Sequence, residues 1–200
     1  GGLGLNNAGI TCDKQGYPEH DEYLQTTNPD VYVAGDLTGS YQFSHAAEYE
    51  STMIVKNEIL PYSSKITYES MSHATYTDPV VASFGRSRTE LDKEGIRYDV
   101  IHADFDHADK AIINDDDSWG EYYVTNRTFR GGIIVSDDAH HIIQELILAQ
   151  QEDVKTTNIV NKIYPYPSIE AVTQHSVFNH LKHLLGDMTK HLIRFSYRYL

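Results

Sequence analysis

A short apolar segment that ends in Gly-Asp constrains the fold of this chain more than any other feature. Residues 31–34 are apolar or aromatic, follow a turn that contains Pro29, and stop at Gly35. This pattern predicts a short buried strand with Asp36 just beyond its carboxyl end, where open α/β sheets bind ligands. Glycine lets a bulky group approach the backbone, and a carboxylate accepts hydrogen bonds from hydroxyl groups, so we predict a ligand site here.

A helical pattern follows the Gly-Asp pair. Residues 45–59 carry apolar side chains at spacings that favour a buried helix, and Ser44 is the candidate cap. The backbone N–H groups at the start of such a helix stabilise negative charge. A core helix with a surface histidine is the alternative, and it would be preferred if no Gly-Asp pair preceded the helix.

The segment from Thr26 to Asp36, together with residues 44–48, resembles the second FAD-contacting motif of the pyridine nucleotide-disulfide oxidoreductases, the family of dihydrolipoamide dehydrogenase and mercuric reductase. The resemblance covers roughly residues 3 to 182. It implies that Asp36 holds the ribityl hydroxyls of FAD, that Gly35 lies against the cofactor, and that NAD(P)H is the electron donor. It also implies that His45 and Ala46 lie nearest the flavin.

Two other motifs of the family do not occur in these 200 residues. They are the dinucleotide-binding fingerprint G-x-G-x-x-G after a strand and the redox pair C-x4-C. We therefore expect residues 1–62 to be the last segment of an α/β FAD-binding domain. We also expect the chain to be the carboxyl-terminal portion of a longer enzyme and to be inactive by itself.

The pattern changes after residue 62 to β-branched and aromatic runs separated by polar turns. Candidate strands lie on both sides of Asp78-Pro79 and at 98–103, 121–125 and 132–136, and candidate helices begin at Arg88 and Ala139. Strands and helices in this order predict an α+β fold with an antiparallel sheet. The resemblance identifies residues 63–182 as the family's dimerisation domain and implies a homodimer.

Residues 163–171 depart from the motif that family members use to reduce disulfides, His-Pro-Thr-x-x-Glu. Alignment on Pro167 places Tyr166 at the histidine position, and Glu170 falls one place before the glutamate position. Tyr166 is thus the candidate catalytic residue. A phenol with a pKa near 10 is a poor proton shuttle at neutral pH, so thiol acid-base chemistry is not expected of it.

Composition excludes several classes of protein. A formal net charge of -13 argues against nucleic-acid binding, which uses clustered basic residues. The single Cys12 allows no internal disulfide, and no signal peptide or membrane-spanning run is apparent, so we expect a cytoplasmic protein. We predict no metal site, because the histidines, which include His102, His107, His140 and His141, do not share a helical face with a carboxylate at ligand spacing.

Residues 183–200 form a basic amphipathic tail that extends past the family's usual end. Such a helix can lie on an anionic membrane surface, but we prefer packing on the protein. For the complete enzyme we expect electron transfer from NAD(P)H through FAD to a disulfide or another small acceptor. The alternative is a non-catalytic dimerisation or interaction module, and the two differ in whether the gene encodes the two missing motifs upstream.

Overall fold

The computed structural model describes residues 2–106, 108–114 and 118–196. It contains two compact units, Gly1–Tyr68 and Glu69–Leu200. The division between the units falls after Tyr68, whereas the sequence pattern predicts a domain boundary after residue 62. The domain boundaries themselves stay predictions.

The first unit consists mainly of turns, two 3-10 helices and one long helix. The 3-10 helices are Leu5–Ala8 and Gly35–Thr38, and the long helix is α1, Ser44–Ile59. Isolated antiparallel bridges, such as the one from Cys12 to Pro18, join the turns before Gly35. Local hydrogen bonds rather than a sheet therefore shape this unit.

The prediction of a strand over residues 31–34 is wrong, because these residues form no strand in the structure. Tyr32 makes a single bridge to Gln25, and Ala34 is extended, but no ladder forms. A strand needs a neighbour to bond with its backbone, and among the described residues of the first unit only Gln25 bridges to residues 31–34. Val33 is nevertheless buried, as its apolar character indicated.

Helix α1 also differs from its prediction. Phe43 is the N-cap and Ser44 is the first helical residue, and no side chain caps the first turn. The helix itself is confirmed, but only Ala46 and Glu50 are buried and Ile59 is 74% exposed, so its predicted burial is wrong. One face of α1 packs in this unit because a helix buries only the stripe that another element covers.

The second unit is a five-stranded antiparallel sheet with helices, in the order β1-β2-β5-β4-β3. Its elements are β1 Ser72–Thr75, β2 Val81–Gly85, α2 Arg88–Lys93, β3 Asp99–His102, α3 Asp109–Asn114, β4 Trp119–Thr125, β5 Thr128–Val135, α4 Ala139–Gln151, α5 Thr156–Val160 and α6 Ala171–Ser196. The predicted α+β fold is confirmed, and so are the strands on both sides of Asp78-Pro79.

The core of this unit lies between one face of the sheet and the helices. Alternate residues of the strands, including Tyr122 and Ile134, point into it and are fully buried. Ile142 and Leu146 on α4 are fully buried as well, which confirms the apolar face predicted for that helix. Val172 brings the start of α6 into the same core.

Helix α6 runs without a break from Ala171 to Ser196. The predicted tail, residues 183–200, is therefore mostly a continuation of this helix and not a separate element. Most of its side chains and all of residues 197–200 lie outside the described part of the chain, so its packing stays a prediction. Within the described residues, no helix combines the length and apolar character needed to cross a membrane.

Candidate functional site

The Gly-Asp pair forms the start of the 3-10 helix Gly35–Thr38, directly after extended Ala34. Gly35 has a φ of 70°, in the left-handed region that favours glycine. A Cβ added there would lie 3.1 Å from the Cβ of Ala47 on α1, closer than ordinary van der Waals contact. The close approach of this turn to α1 therefore requires glycine at position 35.

A buried carboxylate that the sequence analysis missed fixes this turn. Glu50 of α1 is 0% exposed, and its Oε2 accepts a hydrogen bond from the Gly35 N–H at 2.5 Å. Its Oε1 accepts the hydroxyl hydrogen of Tyr68, also at 2.5 Å. Burial and the Glu50 hydrogen bond raise the pKa of Tyr68, so the phenol keeps its proton.

The four residues predicted to contact the cofactor lie in two adjoining pieces of chain. Gly35 and Asp36 form the turn, and His45 and Ala46 lie in the first helical turn of α1, next to the Ala47 that faces Gly35. Asp36 and His45 are exposed and Ala46 is fully buried. Among the described residues, no side chain pairs with the Asp36 carboxylate, which leaves its oxygens as acceptors for a ligand.

Aromatic rings surround the start of α1. The ring of His45 stacks on Phe43 with centroids 5.3 Å apart and an interplanar angle of 9°. The ring centroid of Tyr41 lies 5.2 Å from that of Tyr68, and the ring centroid of Tyr49 lies 6.4 Å from it. These contacts hold Tyr68 in place, so the donor to Glu50 has a fixed position.

Tyr166 lies in the second unit, in the loop between α5 and α6, and its side chain is 81% exposed. A hydrogen bond to Asp109 raises its pKa above the ordinary value, which makes the phenol a still weaker acid. Asp109 and Tyr166 both line a cavity of about 330 Å³. Tyr166 already donates its one hydroxyl hydrogen to Asp109, so it can donate to another acceptor only by releasing Asp109, and proton shuttling at neutral pH is disfavoured.

Tyr164 anchors the same loop. Its hydroxyl lies 2.7 Å from both carboxylate oxygens of Glu145 on α4. Lys162 donates to the same carboxylate at 2.6 Å and lies 4.1 Å from the centroid of the Tyr164 ring. Burial, with the neighbouring Glu145, raises the pKa of Tyr164. The loop is therefore fixed two residues before Tyr166.

The acidic residue after Tyr166 has a local partner. Ser168 donates a hydrogen bond to Glu170, the carboxylate that falls one place before the family's glutamate position. Partial burial raises the pKa of Glu170, but hydrogen bonds from Ser168 and from the backbone, with a smaller contribution from nearby His141, outweigh burial and leave the pKa below its usual value. Glu170 is thus satisfied within its own turn and does not orient Tyr166.

Potential metal ligands do not converge in the described part of the chain. No three His, Cys, Asp or Glu side chains there are arranged to hold an ion. His140 and His141 contact each other through their rings, with centroids 4.0 Å apart, and His140 also contacts Tyr76. His107, one of the histidines considered in the sequence analysis, lies outside the described residues.

Comparison with known proteins assigns both parts of the chain. The family model for the pyridine nucleotide-disulphide oxidoreductase dimerisation domain matches residues 71–177, and the model for pyridine nucleotide-disulphide oxidoreductase matches residues 2–51. The first of these matches covers more than half of the chain. Both agree with the resemblance inferred from the Gly35-Asp36 motif.

Individual relatives support the same assignment. Dihydrolipoyl dehydrogenase of Chlamydia muridarum is 28% identical over 173 residues, and mercuric reductase of Staphylococcus aureus is 28% identical over 167 residues. The matches cover 85% and 82% of this chain but only 37% and 30% of those proteins, so the chain spans well under half of each relative.

The fold has known counterparts. The HOCl-induced flavoprotein disulfide reductase RclA of Escherichia coli superposes with a TM-score of 0.77 at 19% identity, over 88% of this chain and 41% of that one. At this identity the likeness establishes the fold, and the two family models establish the family. The chain belongs to the pyridine nucleotide-disulphide oxidoreductases and carries their dimerisation domain.

Proposed function

We propose that this chain is the flavin-contacting and dimer-forming portion of an FAD-dependent, NAD(P)H-linked oxidoreductase. The observation that carries the proposal is the Gly35-Asp36 turn against the amino end of α1, with an accessible carboxylate next to a residue that lacks a Cβ. The relatives support the reaction class, because the two described above are a dihydrolipoyl dehydrogenase and a mercuric reductase.

The residues at this turn fit a flavin nucleotide. Asp36 is exposed and offers carboxylate oxygens to the hydroxyls of the ribityl chain, while Gly35 lets the turn lie close against Ala47 of α1. The N-cap Phe43 provides no side-chain acceptor to the first turn of α1, so the positive end of the helix is not neutralised by a cap. Such an end favours the negative charge of a reduced flavin ring, and we assign that role to the backbone around His45 and Ala46.

Bound FAD supplies the redox chemistry by taking up a hydride from NAD(P)H and passing electrons to an acceptor. We propose that the acceptor is a disulfide or another small molecule and that a homodimer, formed through residues 63–182, completes its site. Tyr166 acts there as a hydrogen-bond donor when its hydroxyl hydrogen turns from Asp109 to the acceptor. Its exposure and the cavity beside it support this role, and its raised pKa argues against proton transfer.

The proposal is tested on the full-length protein that contains this chain. Purified protein is denatured, and the released cofactor is identified and quantified by its absorbance and chromatography. The proposal predicts FAD at about one per chain and bleaching of the flavin absorbance by NADH or NADPH in the absence of oxygen. A full-length protein that neither holds flavin nor binds added FAD would contradict it.

A further inference from the structure

We infer that Glu50 is a positioning residue for the flavin-contacting turn and that Tyr68 holds it in its working orientation. The inference rests on the proposed function, because it concerns the same turn. It starts from a charged side chain that is fully buried, which occurs in proteins only when hydrogen bonds or an opposite charge compensate for lost water. The Glu50 carboxylate has two such partners, one for each oxygen.

The first partner connects Glu50 to the site. The Gly35 N–H donates to Glu50, so the carboxylate fixes the peptide group that enters the turn. Glycine has the widest backbone freedom of any residue type, so without the Glu50 hydrogen bond Gly35 would sample other conformations. Asp36 follows immediately, and the direction of its side chain depends on the Gly35 backbone. Glu50 therefore controls where the Asp36 oxygens are presented.

The second partner fixes Glu50 itself. The Tyr68 hydroxyl donates to the other carboxylate oxygen, and its ring is held by contacts with Tyr41 and Tyr49. Loss of this donor leaves one buried oxygen unsatisfied and permits the carboxylate to rotate. Tyr68 is also the last residue of the first unit.

The same helix carries a matched control. Glu58 of α1 also accepts a tyrosine hydroxyl at 2.5 Å, from Tyr32, but Glu58 is exposed and makes no bond to Gly35. The two pairs share their chemistry and their helix. They differ in burial and in the hydrogen bond to Gly35, which only Glu50 makes.

The experiment compares the variants Glu50→Ala, Glu50→Gln and Tyr68→Phe with Glu58→Ala and Tyr32→Phe in the full-length protein. FAD is titrated into deflavinated protein, and visible circular dichroism reports the surroundings of the bound flavin. Glu50→Ala should raise the dissociation constant for FAD about tenfold or more, since the turn loses a charge-assisted hydrogen bond. Tyr68→Phe should raise it by a smaller factor, and both controls should match the wild type.

Rescue by glutamine separates positioning from general stability. The amide oxygen of glutamine can still accept the Gly35 N–H, so Glu50→Gln should recover most of the affinity and the wild-type flavin dichroism. An equal dissociation constant in Glu50→Ala and Glu58→Ala would overturn the inference. If Glu50→Ala does not fold, Tyr68→Phe against Tyr32→Phe decides it, and equal affinities would overturn it. A wild type that binds no FAD would instead overturn the proposed function.

Discussion

The hydroxyl of Tyr164 lies 2.7 Å from both carboxylate oxygens of Glu145, whereas Tyr166, two residues later, is 81% exposed. Two tyrosines of one Tyr-Pro-Tyr-Pro segment thus have opposite environments. Tyr164 attaches the loop to α4. The same loop exposes Tyr166 to solvent. The loop provides the rigid base that a donor to a bound acceptor requires.

Replacing Tyr164 by phenylalanine should destabilise the chain. The Glu145 carboxylate would keep its hydrogen bond from Lys162 but lose the one from the half-buried Tyr164 hydroxyl. We expect the free energy of unfolding to fall by about 2 kcal/mol. Urea unfolding followed by circular dichroism measures the change. Tyr166→Phe is the control and should leave the unfolding midpoint unchanged, and equal midpoints for all three proteins would show that the Tyr164 bond is not stabilising.

Replacing Tyr166 by phenylalanine should slow the oxidative half of the reaction in the full-length enzyme. The substitution removes the hydroxyl that we propose donates to the acceptor, but it leaves the flavin-contacting turn untouched. Stopped-flow traces should show flavin reduction by NAD(P)H near the wild-type rate and slower reoxidation by the acceptor. Unchanged reoxidation would make Tyr166 a surface residue without a role in catalysis.

Replacing Ser87 by alanine should destabilise the second unit by about 1 kcal/mol, because Ser87 and Glu90 form a reciprocal capping box at the start of α2. Hydrogen bonds from Ser87 lower the pKa of Glu90. The stability from this pair is therefore present above the unfolded-state pKa of the carboxyl and is lost as the pH falls through the lowered folded-state pKa.

Unfolding measured at neutral and at acidic pH tests the Ser87 prediction. The difference between wild type and Ser87→Ala should shrink at acidic pH. Thr89→Ala, at an exposed position in the same first turn, is the control and should change little. A difference that stays constant with pH would show that Glu90 contributes nothing through its charge.

The 200-residue chain should form a homodimer through its dimerisation domain. Size-exclusion chromatography with light scattering over a range of concentrations should give twice the 22.7 kDa mass of one chain. The dimer should persist at low micromolar concentration, since the interfaces of obligate homodimers are large and hydrophobic. A monomer at high micromolar concentration would contradict the prediction.

The sequence predicts the second unit better than the first, for a physical reason. Runs such as residues 121–125 and 132–136 form strands because their partners lie nearby in the chain. Residues 31–34 have the same apolar character, but in the first unit they find only one bridge partner, at Gln25. An apolar run thus indicates burial, and a strand forms only where a neighbouring backbone completes the ladder.

The candidate site shows a similar limit. Gly35 and Asp36 are recognisable from local sequence, because backbone freedom and a carboxylate at a turn are local properties. Glu50 is not recognisable, because a single glutamate on a helix normally faces solvent. Its four-residue spacing from buried Ala46 was the available signal, but only the structure reveals that Gly35 and Tyr68 converge on it. The Tyr164 contact with Glu145 spans 19 positions and was equally invisible.

The affinity of the full-length protein for FAD, measured in wild type and in Asp36→Ala, tests the central claim most directly. Titration of deflavinated protein should show a weaker affinity by about 1–3 kcal/mol in Asp36→Ala, because the ribityl hydroxyls lose their acceptor. Asp30→Ala removes an exposed carboxylate of the preceding turn and should bind like the wild type. Equal FAD affinity in all three proteins would contradict the assignment of the Gly35-Asp36 turn to the flavin.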